Sequence, residues 1–182
     1  MNWNAFHTRG EILRDVIAAA DQRRDGILPL DVPGAQECFA DEIDLVGALA
    51  LKWHARLTAH IERALATQPM DLESAVARAW RDTATELPGL RLVIDRATEA
   101  PSTPAMAEAT QRAQRAERAR LAQAAALAFD ASDGAVAAGE RIEQQARVGL
   151  VQQEAQQRLA EPVGEPRDRA SFVRRIKAVL AA

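Results

Sequence analysis

The chain has 182 residues, of which 48% are hydrophobic, and a formal net charge of −3 at pH 7. Forty residues are alanine, and Leu, Ile, Val and Phe together number only 40. No segment approaches the roughly 18 consecutive apolar residues of a membrane span, and the first residues lack a signal-peptide pattern. A single cysteine, Cys38, excludes an intramolecular disulfide. We therefore expect a soluble, cytoplasmic protein without general attraction to nucleic acid.

Apolar residues recur at helical spacing along most of the chain, and no alternating β-branched run is long enough for a strand. The sequence predicts an all-α fold, with a bundle of about four helices in residues 1–100. Thr8 and Glu11 have the spacing of a capping box and predict a first helix that ends near Arg24. The prolines Pro29 and Pro33 then predict a loop of about ten residues.

The second predicted helix has the longest apolar face. On a wheel of 100° per residue, seven apolar side chains lie within about 40° of Leu57. They are Phe39, Ile43, Val46, Ala50, Trp53, Ile61 and Ala64. Thr67 and Pro69 predict the end of this helix.

Two shorter helices complete the predicted bundle. Asp71 is a typical N-cap residue and predicts a third helix that extends to about Glu86. Pro88 follows it and predicts a break, after which a fourth helix runs to about Pro101.

Residues 101–160 have a different composition, with only nine Leu, Ile, Val or Phe in 60 residues. Thr103 and Pro104 predict the start of a long helix that reaches about Asp130, and a partner helix runs from Asp133 to Ala160. We therefore predict an alanine-rich antiparallel helical hairpin. Because alanine buries little area, this hairpin needs residues 1–100, a second chain or another partner for stability.

Residues 161–182 combine a Pro- and Gly-containing linker with a short amphipathic helix. The apolar face of this predicted helix consists of Phe172, Val173, Ile176, Val179 and Leu180. The face could pack on its own chain, dock into the groove of a partner protein, or lie on an anionic membrane surface.

Two histidines and two tryptophans are candidates for binding a ligand: Trp53, His54, His60 and Trp80. His54 and His60 lie on opposite sides of the apolar face of one helix, so they cannot bind one metal ion without other ligands. The Glu-x-x-His pairs of a di-iron site are missing. We expect these four residues to belong to the core, with a haem, a metal or an apolar small molecule as alternative ligands.

Arg112, Arg115 and Arg118 form a basic stripe on the fifth predicted helix. A solvated helix face is the simplest interpretation. Phosphates of a nucleic acid or an acidic protein, including a second copy of this chain, are alternatives. Phe129 is the only aromatic residue between positions 81 and 171, so side chains that stack on bases are missing near the stripe.

Motifs for catalysis are not evident, since the sequence has neither Gly-x-Ser-x-Gly nor a glycine-rich phosphate loop. We therefore predict a non-enzymatic interaction or scaffold protein that uses the hairpin and the C-terminal helix, either as a homo-oligomer or with another protein. The alternative is a helical bundle that binds a haem, a metal or an apolar small molecule near Trp53, His54, His60 and Trp80.

Overall fold

The computed structural model describes residues 3–67 and 70–160, without the side chains of residues 3–8, 157 and 160. Within these ranges the chain forms seven α-helices and no strand, which confirms the predicted all-α class. The helices are α1 Trp3–Arg23, α2 Ala35–Cys38, α3 Glu42–Thr67, α4 Leu72–Glu86, α5 Pro88–Glu99, α6 Pro104–Ala124 and α7 Asp133–Ala160. None of these described helices is sufficiently long and apolar to span a membrane.

The first 41 residues differ in detail from the prediction. Helix α1 already begins at Trp3, ahead of the expected cap at Thr8, and the short α2 was not expected. Asp21 near the end of α1 accepts hydrogen bonds from the backbone N–H groups of Gly89 and Leu90, at 2.7 and 3.3 Å, and thereby joins α1 to α5. This carboxylate partly satisfies the free donors at the start of α5.

Helices α3 and α4 form the centre of the bundle. Phe39, predicted to lie on the apolar face of this helix, is buried but precedes α3. The helix begins after it because the Asp41 side chain caps the first turn, accepting from the Asp44 N–H at 2.7 Å. Asp71 caps α4 as predicted, accepting from the backbone N–H of Ser74. Trp53 and Trp80 are fully buried between these helices, with ring centroids 5.6 Å apart and planes at 72°.

Helix α6 packs against α3, α4 and α5. The predicted cap is confirmed, since the Thr103 side chain accepts from the Met106 N–H and Pro104 occupies the first turn. The helix ends at Ala124, not near Asp130. There, Ala126 adopts a left-handed conformation with φ of 57°, and the Leu127 N–H bonds to the carbonyl of Ala122.

Helices α6 and α7 approach closely where alanine and glycine face each other. Gly139 lies against the backbone of Arg118, and a methyl group at this glycine would overlap the Arg118 carbonyl oxygen. Ala122, Ala135 and Ala138 form a small buried cluster nearby along the two helices. The chain divides after Arg147 into two units, and the described part of the second unit is the C-terminal portion of α7.

Candidate ligand-binding site

A cluster of buried and half-buried charges lies beside the two tryptophans. It contains three arginines and three carboxylates from α5, α6 and α7: Arg91, Asp95, Glu117, Arg118, Glu143 and Arg147. The six formal charges cancel. We refer to these residues as the charged cluster.

Arg91 is the centre of the charged cluster. Its Nη1 donates to both carboxylate oxygens of Glu117, at 2.9 and 3.2 Å. Its Nε and Nη2 donate to Asp95 Oδ1 at 2.9 and 2.7 Å. The side chains of Arg91 and Glu117 are each only 7% exposed, so these bonds form almost out of contact with water.

Arg147 and Arg118 extend the charged cluster across α7. Arg147 donates to Asp95 Oδ1 and Oδ2 at 2.7 and 2.9 Å, and to Glu143 Oε1 at 2.8 Å. Arg118 donates from Nε to Glu143 Oε2 at 3.0 Å. Because α5, α6 and α7 each contribute charges, the cluster fixes the positions of all three helices within residues 1–147.

The tryptophans form one wall of the charged cluster. The Arg91 Cζ lies 4.8 Å from the ring centroid of Trp53 and 5.1 Å from that of Trp80, which is cation–π geometry. Trp80 Nε1 donates to Glu117 Oε1 at 3.0 Å. Trp53 Nε1 is buried as well, but has no hydrogen-bond partner among the described residues.

Ion pairing keeps the buried carboxylates charged. Burial alone would raise the pKa of Glu117, but the charge of Arg91 and hydrogen bonds from His54 and Trp80 lower this pKa to about 2. Burial also opposes ionisation of Asp95, and Arg147 and Arg91 hold its pKa below the usual value. Both carboxylates are therefore ionised at neutral pH.

The two predicted histidines contact different carboxylates. His54 Nε2 lies 3.4 Å from Glu117 Oε2, at the edge of the charged cluster. His60 Nε2 lies 2.9 Å from Glu86 Oε2, and Glu86 also binds Arg56. In the described part of the chain, no three His, Cys, Asp or Glu side chains are grouped closely enough to bind one metal ion.

A cavity of about 110 Å³ adjoins His54 and Glu117. Helices α3, α5 and α6 line it, and most of its wall is apolar: Ile43, Val46, Ala50, Ile94, Met106, Ala109 and Ala113. The polar part of the wall is formed by Trp53, His54, Arg91, Thr98, Thr110, Gln114 and Glu117. Of the four residues predicted to bind a ligand, Trp53 and His54 therefore line this cavity. Trp80 instead contacts Glu117.

A second cavity, of about 250 Å³, shares Val46 and Met106 with the first. The loop residues Gly26, Ile27 and Leu28 and the polar side chains of Glu42, Arg96 and Ser102 contribute to its wall. It contains neither a tryptophan nor a histidine, so the two cavities differ chemically.

The predicted arginine stripe does not point in one direction. Arg112 is exposed and donates to the carbonyl of Glu108 in its own helix. Arg115 is exposed and pairs with Asp133 at 2.6 Å. Arg118 is mostly buried in the charged cluster. The other predicted partner-binding residues, Phe172, Val173, Ile176, Val179 and Leu180, lie outside the described residues.

The charged cluster was missed because its members resemble ordinary surface charges in the sequence. One signal was available at Glu117. On a helical wheel this residue lies among Met106, Thr110, Ala113 and Leu121, within about 40° of each, and therefore on the apolar face of α6.

Comparisons of this chain with protein-family models, curated proteins and solved structures found no match.

Proposed function

We propose that this protein binds a small, mainly apolar molecule in the cavity lined by Trp53 and His54. The observation that carries the proposal is the cavity itself, with apolar walls and a few polar groups at one side. This combination is typical of ligand sites in helical proteins. An apolar small molecule is one of the ligand classes expected from the sequence.

Cavity size supports a compact ligand. An engineered cavity of about 150 Å³ in another protein holds benzene, so about 110 Å³ suits a molecule of about six non-hydrogen atoms or fewer. Sites for drug-sized molecules measure roughly 300–1,000 Å³. A haem is too large for a cavity of this volume.

The chemistry of the wall supports binding without conversion. The lining contains no serine, cysteine or lysine, and the hydroxyls of its two threonines, Thr98 and Thr110, donate to backbone carbonyls of their own helices. Glu117 and Arg91 already bind each other. We therefore propose that the polar groups orient the ligand, and that the charged cluster holds the surrounding helices in place.

Methyl NMR tests binding in the full chain. We would label the methionine methyl groups and titrate with cyclopentane and methylenecyclopentane, two apolar probes of suitable size. Met106 is 3% exposed and lines the cavity, whereas Met70 is 95% exposed and serves as an internal control. We expect saturable shifts of the Met106 signal and no shift of Met70. Absence of any Met106 shift up to the solubility of the probes would contradict the proposal.

A matched pair of glycine variants locates the site. Gly47 lines the first cavity but not the second, and a Cβ atom there would meet nothing within 4 Å. Gly10 in α1 has equally open space and lines neither cavity. We expect Gly47→Leu to weaken probe binding at least tenfold, because the new side chain occupies the cavity or its opening, and Gly10→Leu to leave it unchanged. Equal binding by both variants would exclude this cavity as the site.

The interaction or scaffold function predicted from the sequence remains a second candidate. Exposed apolar side chains support it. Leu127 and Phe129, in the segment after α6, are 45% and 98% exposed. On the C-terminal part of α7, Val148, Val151 and Leu159 are 58%, 65% and 87% exposed. Such side chains are candidates for contact with a second copy or another protein.

Light scattering after size-exclusion chromatography tests self-association. We would compare residues 1–182 with residues 1–160, and the full chain with Phe129→Ser, Val151→Ser and Leu159→Ser. Leu92→Ser is the control, since Leu92 is also partly exposed, at 40%, but lies on α5. This function would be supported if the full chain is a dimer that dissociates on truncation to residues 1–160 or in one of the Phe129, Val151 and Leu159 variants, but persists in Leu92→Ser. A monomer at all concentrations would exclude self-association.

A further inference from the structure

We propose that the second cavity is a separate binding site, for a small carboxylate with an aliphatic body whose head group pairs with Arg96. The structural basis is a cavity with a buried apolar wall and an exposed arginine that has no side-chain partner among the described residues. The proposal does not depend on binding in the first cavity.

The wall of the second cavity is apolar on its buried side and charged on its exposed side. Val46, Val93 and Met106 are 5%, 2% and 3% exposed and belong to the buried side. Glu42 and Arg96 are exposed. Solute can therefore reach the charged side from water, and an aliphatic chain gains free energy by entering the apolar side.

The volume of the cavity limits the size of the ligand. An engineered cavity of about 150 Å³ in another protein holds benzene, so about 250 Å³ suits a molecule of about ten non-hydrogen atoms. A carboxylate with a chain of about five or six carbon atoms has this size.

The stem of Arg96 lies against the loop that forms part of the wall. A Cβ atom at Gly26 would lie 3.4 Å from Arg96 Cβ and 3.5 Å from Arg96 Cδ. Gly26 has a φ of 72°, and the same Cβ would lie only 3.1 Å from the carbonyl oxygen of Leu92. The loop thus approaches α5 closely, and the Arg96 guanidinium, one bond beyond Cδ, extends from this contact at the exposed side of the cavity.

Two arginines of α5 line the two cavities, and they differ in their partners. Arg91, in the wall of the first, donates to Asp95 and Glu117. The Arg96 side chain, in the wall of the second, forms no hydrogen bond or ion pair with any described residue. A guanidinium matches the two oxygens of a carboxylate, so a ligand carboxylate would supply the missing partner.

The negative charge of Glu42 is the other charge of this wall. Glu42 lies in the first turn of α3 and Arg96 in the last turn of α5, so both are at the helix ends that favour their charges. Only Glu42 has a side-chain partner, because the Ser102 hydroxyl donates to its Oε2 at 3.1 Å. The unmet demand is therefore for an anion at Arg96.

Three probes of similar shape test this head group. 4-Methylpentanoate carries the carboxylate, 4-methylpentanamide is its neutral counterpart, and leucine is the same carboxylate with an added ammonium group. We would label the isoleucine δ1 methyl groups of the full chain and titrate each probe at neutral pH. Ile27 lines only the second of the two cavities, whereas Ile94 lines only the first.

We expect 4-methylpentanoate to shift the Ile27 signal saturably and to leave Ile94 nearly unchanged. It should bind about fivefold more tightly than the amide, which is the upper range for an ion pair exposed to water. Raising the NaCl concentration from about 20 mM to about 0.3 M should reduce this preference, because salt screens exposed charges.

Arg96→Gln should abolish the preference for the carboxylate over the amide. Arg120→Gln is the matched control, since Arg120 is also exposed but lies on α6 and lines neither cavity. The control should retain the full preference. Because both side chains are exposed, we expect both variants to fold.

Each contrary result overturns a stated part of the proposal. Equal binding of 4-methylpentanoate and its amide to wild type would show that no cation selects the head group. An unchanged preference in Arg96→Gln would exclude Arg96 as that cation. Tighter binding of leucine than of 4-methylpentanoate would show that the ligand is a zwitterion. Absence of any Ile27 shift would exclude the second cavity as a site, whatever the apolar probes show at the first.

Discussion

Arg91 and Glu117 are 26 residues apart in the chain, and their side chains meet at 2.9 Å in the interior. Each side chain is 7% exposed. Moving two such charges out of water costs several kcal/mol per ion, which their attraction offsets only when both partners are present. Loss of one partner should therefore be far more damaging than loss of a surface charge.

Glu117→Gln should lower the free energy of unfolding by about 3–5 kcal/mol, because the positive charge of Arg91 would lose its main buried counterion. Urea denaturation at pH 7, followed by circular dichroism, measures this change. Glu108→Gln on the same helix is the matched control, since Glu108 is exposed, and should change stability by less than about 0.5 kcal/mol. Equal effects of the two variants would show that the ion pair contributes little.

Stability should fall as the pH is lowered from 5 to about 2. The folded-state pKa of Glu117, about 2, is below its ordinary value of 4.5. The stabilisation is therefore fully present above pH 4.5 and is lost as Glu117 takes up a proton at lower pH. The difference corresponds to a contribution on the order of 3 kcal/mol. Asp95, whose pKa is also lowered, acts in the same direction.

The pH dependence can be assigned to Glu117 by comparing denaturation curves of wild type and Glu117→Gln between pH 7 and pH 2.5. Their stability difference should shrink as the pH falls, because the protonated wild-type side chain resembles glutamine in charge. A difference that stays constant over this range would contradict the assignment.

Gly139→Ala should destabilise the protein by about 1–3 kcal/mol, because the added methyl overlaps the carbonyl oxygen of Arg118 and would force α6 and α7 apart. Gly134→Ala, in the first turn of α7, is the control. A Cβ there meets only Ser132 Oγ, at an ordinary 3.7 Å. The control should be neutral or slightly stabilising, since alanine favours a helix more than glycine does. Thermal denaturation of both variants measures the difference, and a stabilised Gly139→Ala would contradict this packing.

The arginines of the predicted stripe should differ in their effect on stability. Arg118→Ala should lower the free energy of unfolding by about 2–4 kcal/mol, because it leaves the buried Glu143 with fewer donors. Arg112→Ala should have an effect below about 0.5 kcal/mol, since Arg112 is exposed. Chemical denaturation of the two variants tests this contrast. Similar stability losses would mean that Arg118 is not held as the structure describes.

Local sequence signals predicted much of the secondary structure. Asp71 and Thr103 cap their helices as expected, because a cap depends on a side chain and a backbone N–H only three residues later. The burial of Trp53 and Trp80 also follows from helical periodicity, which requires only the positions of nearby residues. The start of α1 and the end of α6 were predicted incorrectly, since helix ends carry weaker signals than helix centres.

The candidate site was predictable only in part. Trp53 and His54 could be named in advance because their residue types are rare in this chain and lie on or near an apolar face. The sequence could not show that Trp53 and His54 line the cavity while His60 and Trp80 do not. This difference depends on how α3, α5 and α6 pack together. The roles of the hairpin and the C-terminal helix in binding a partner stay predictions.

The sequence by itself determined the all-α class, the helix caps and the apolar faces, which all arise from interactions within a few residues of the chain. Only the tertiary structure decided which charges are buried. Arg91 and Glu117 look identical to surface charges in the sequence, because the two partners of this buried pair lie 26 residues apart in the chain. The free energy of such a charge depends on its surroundings in space, and these are established only when the helices pack together.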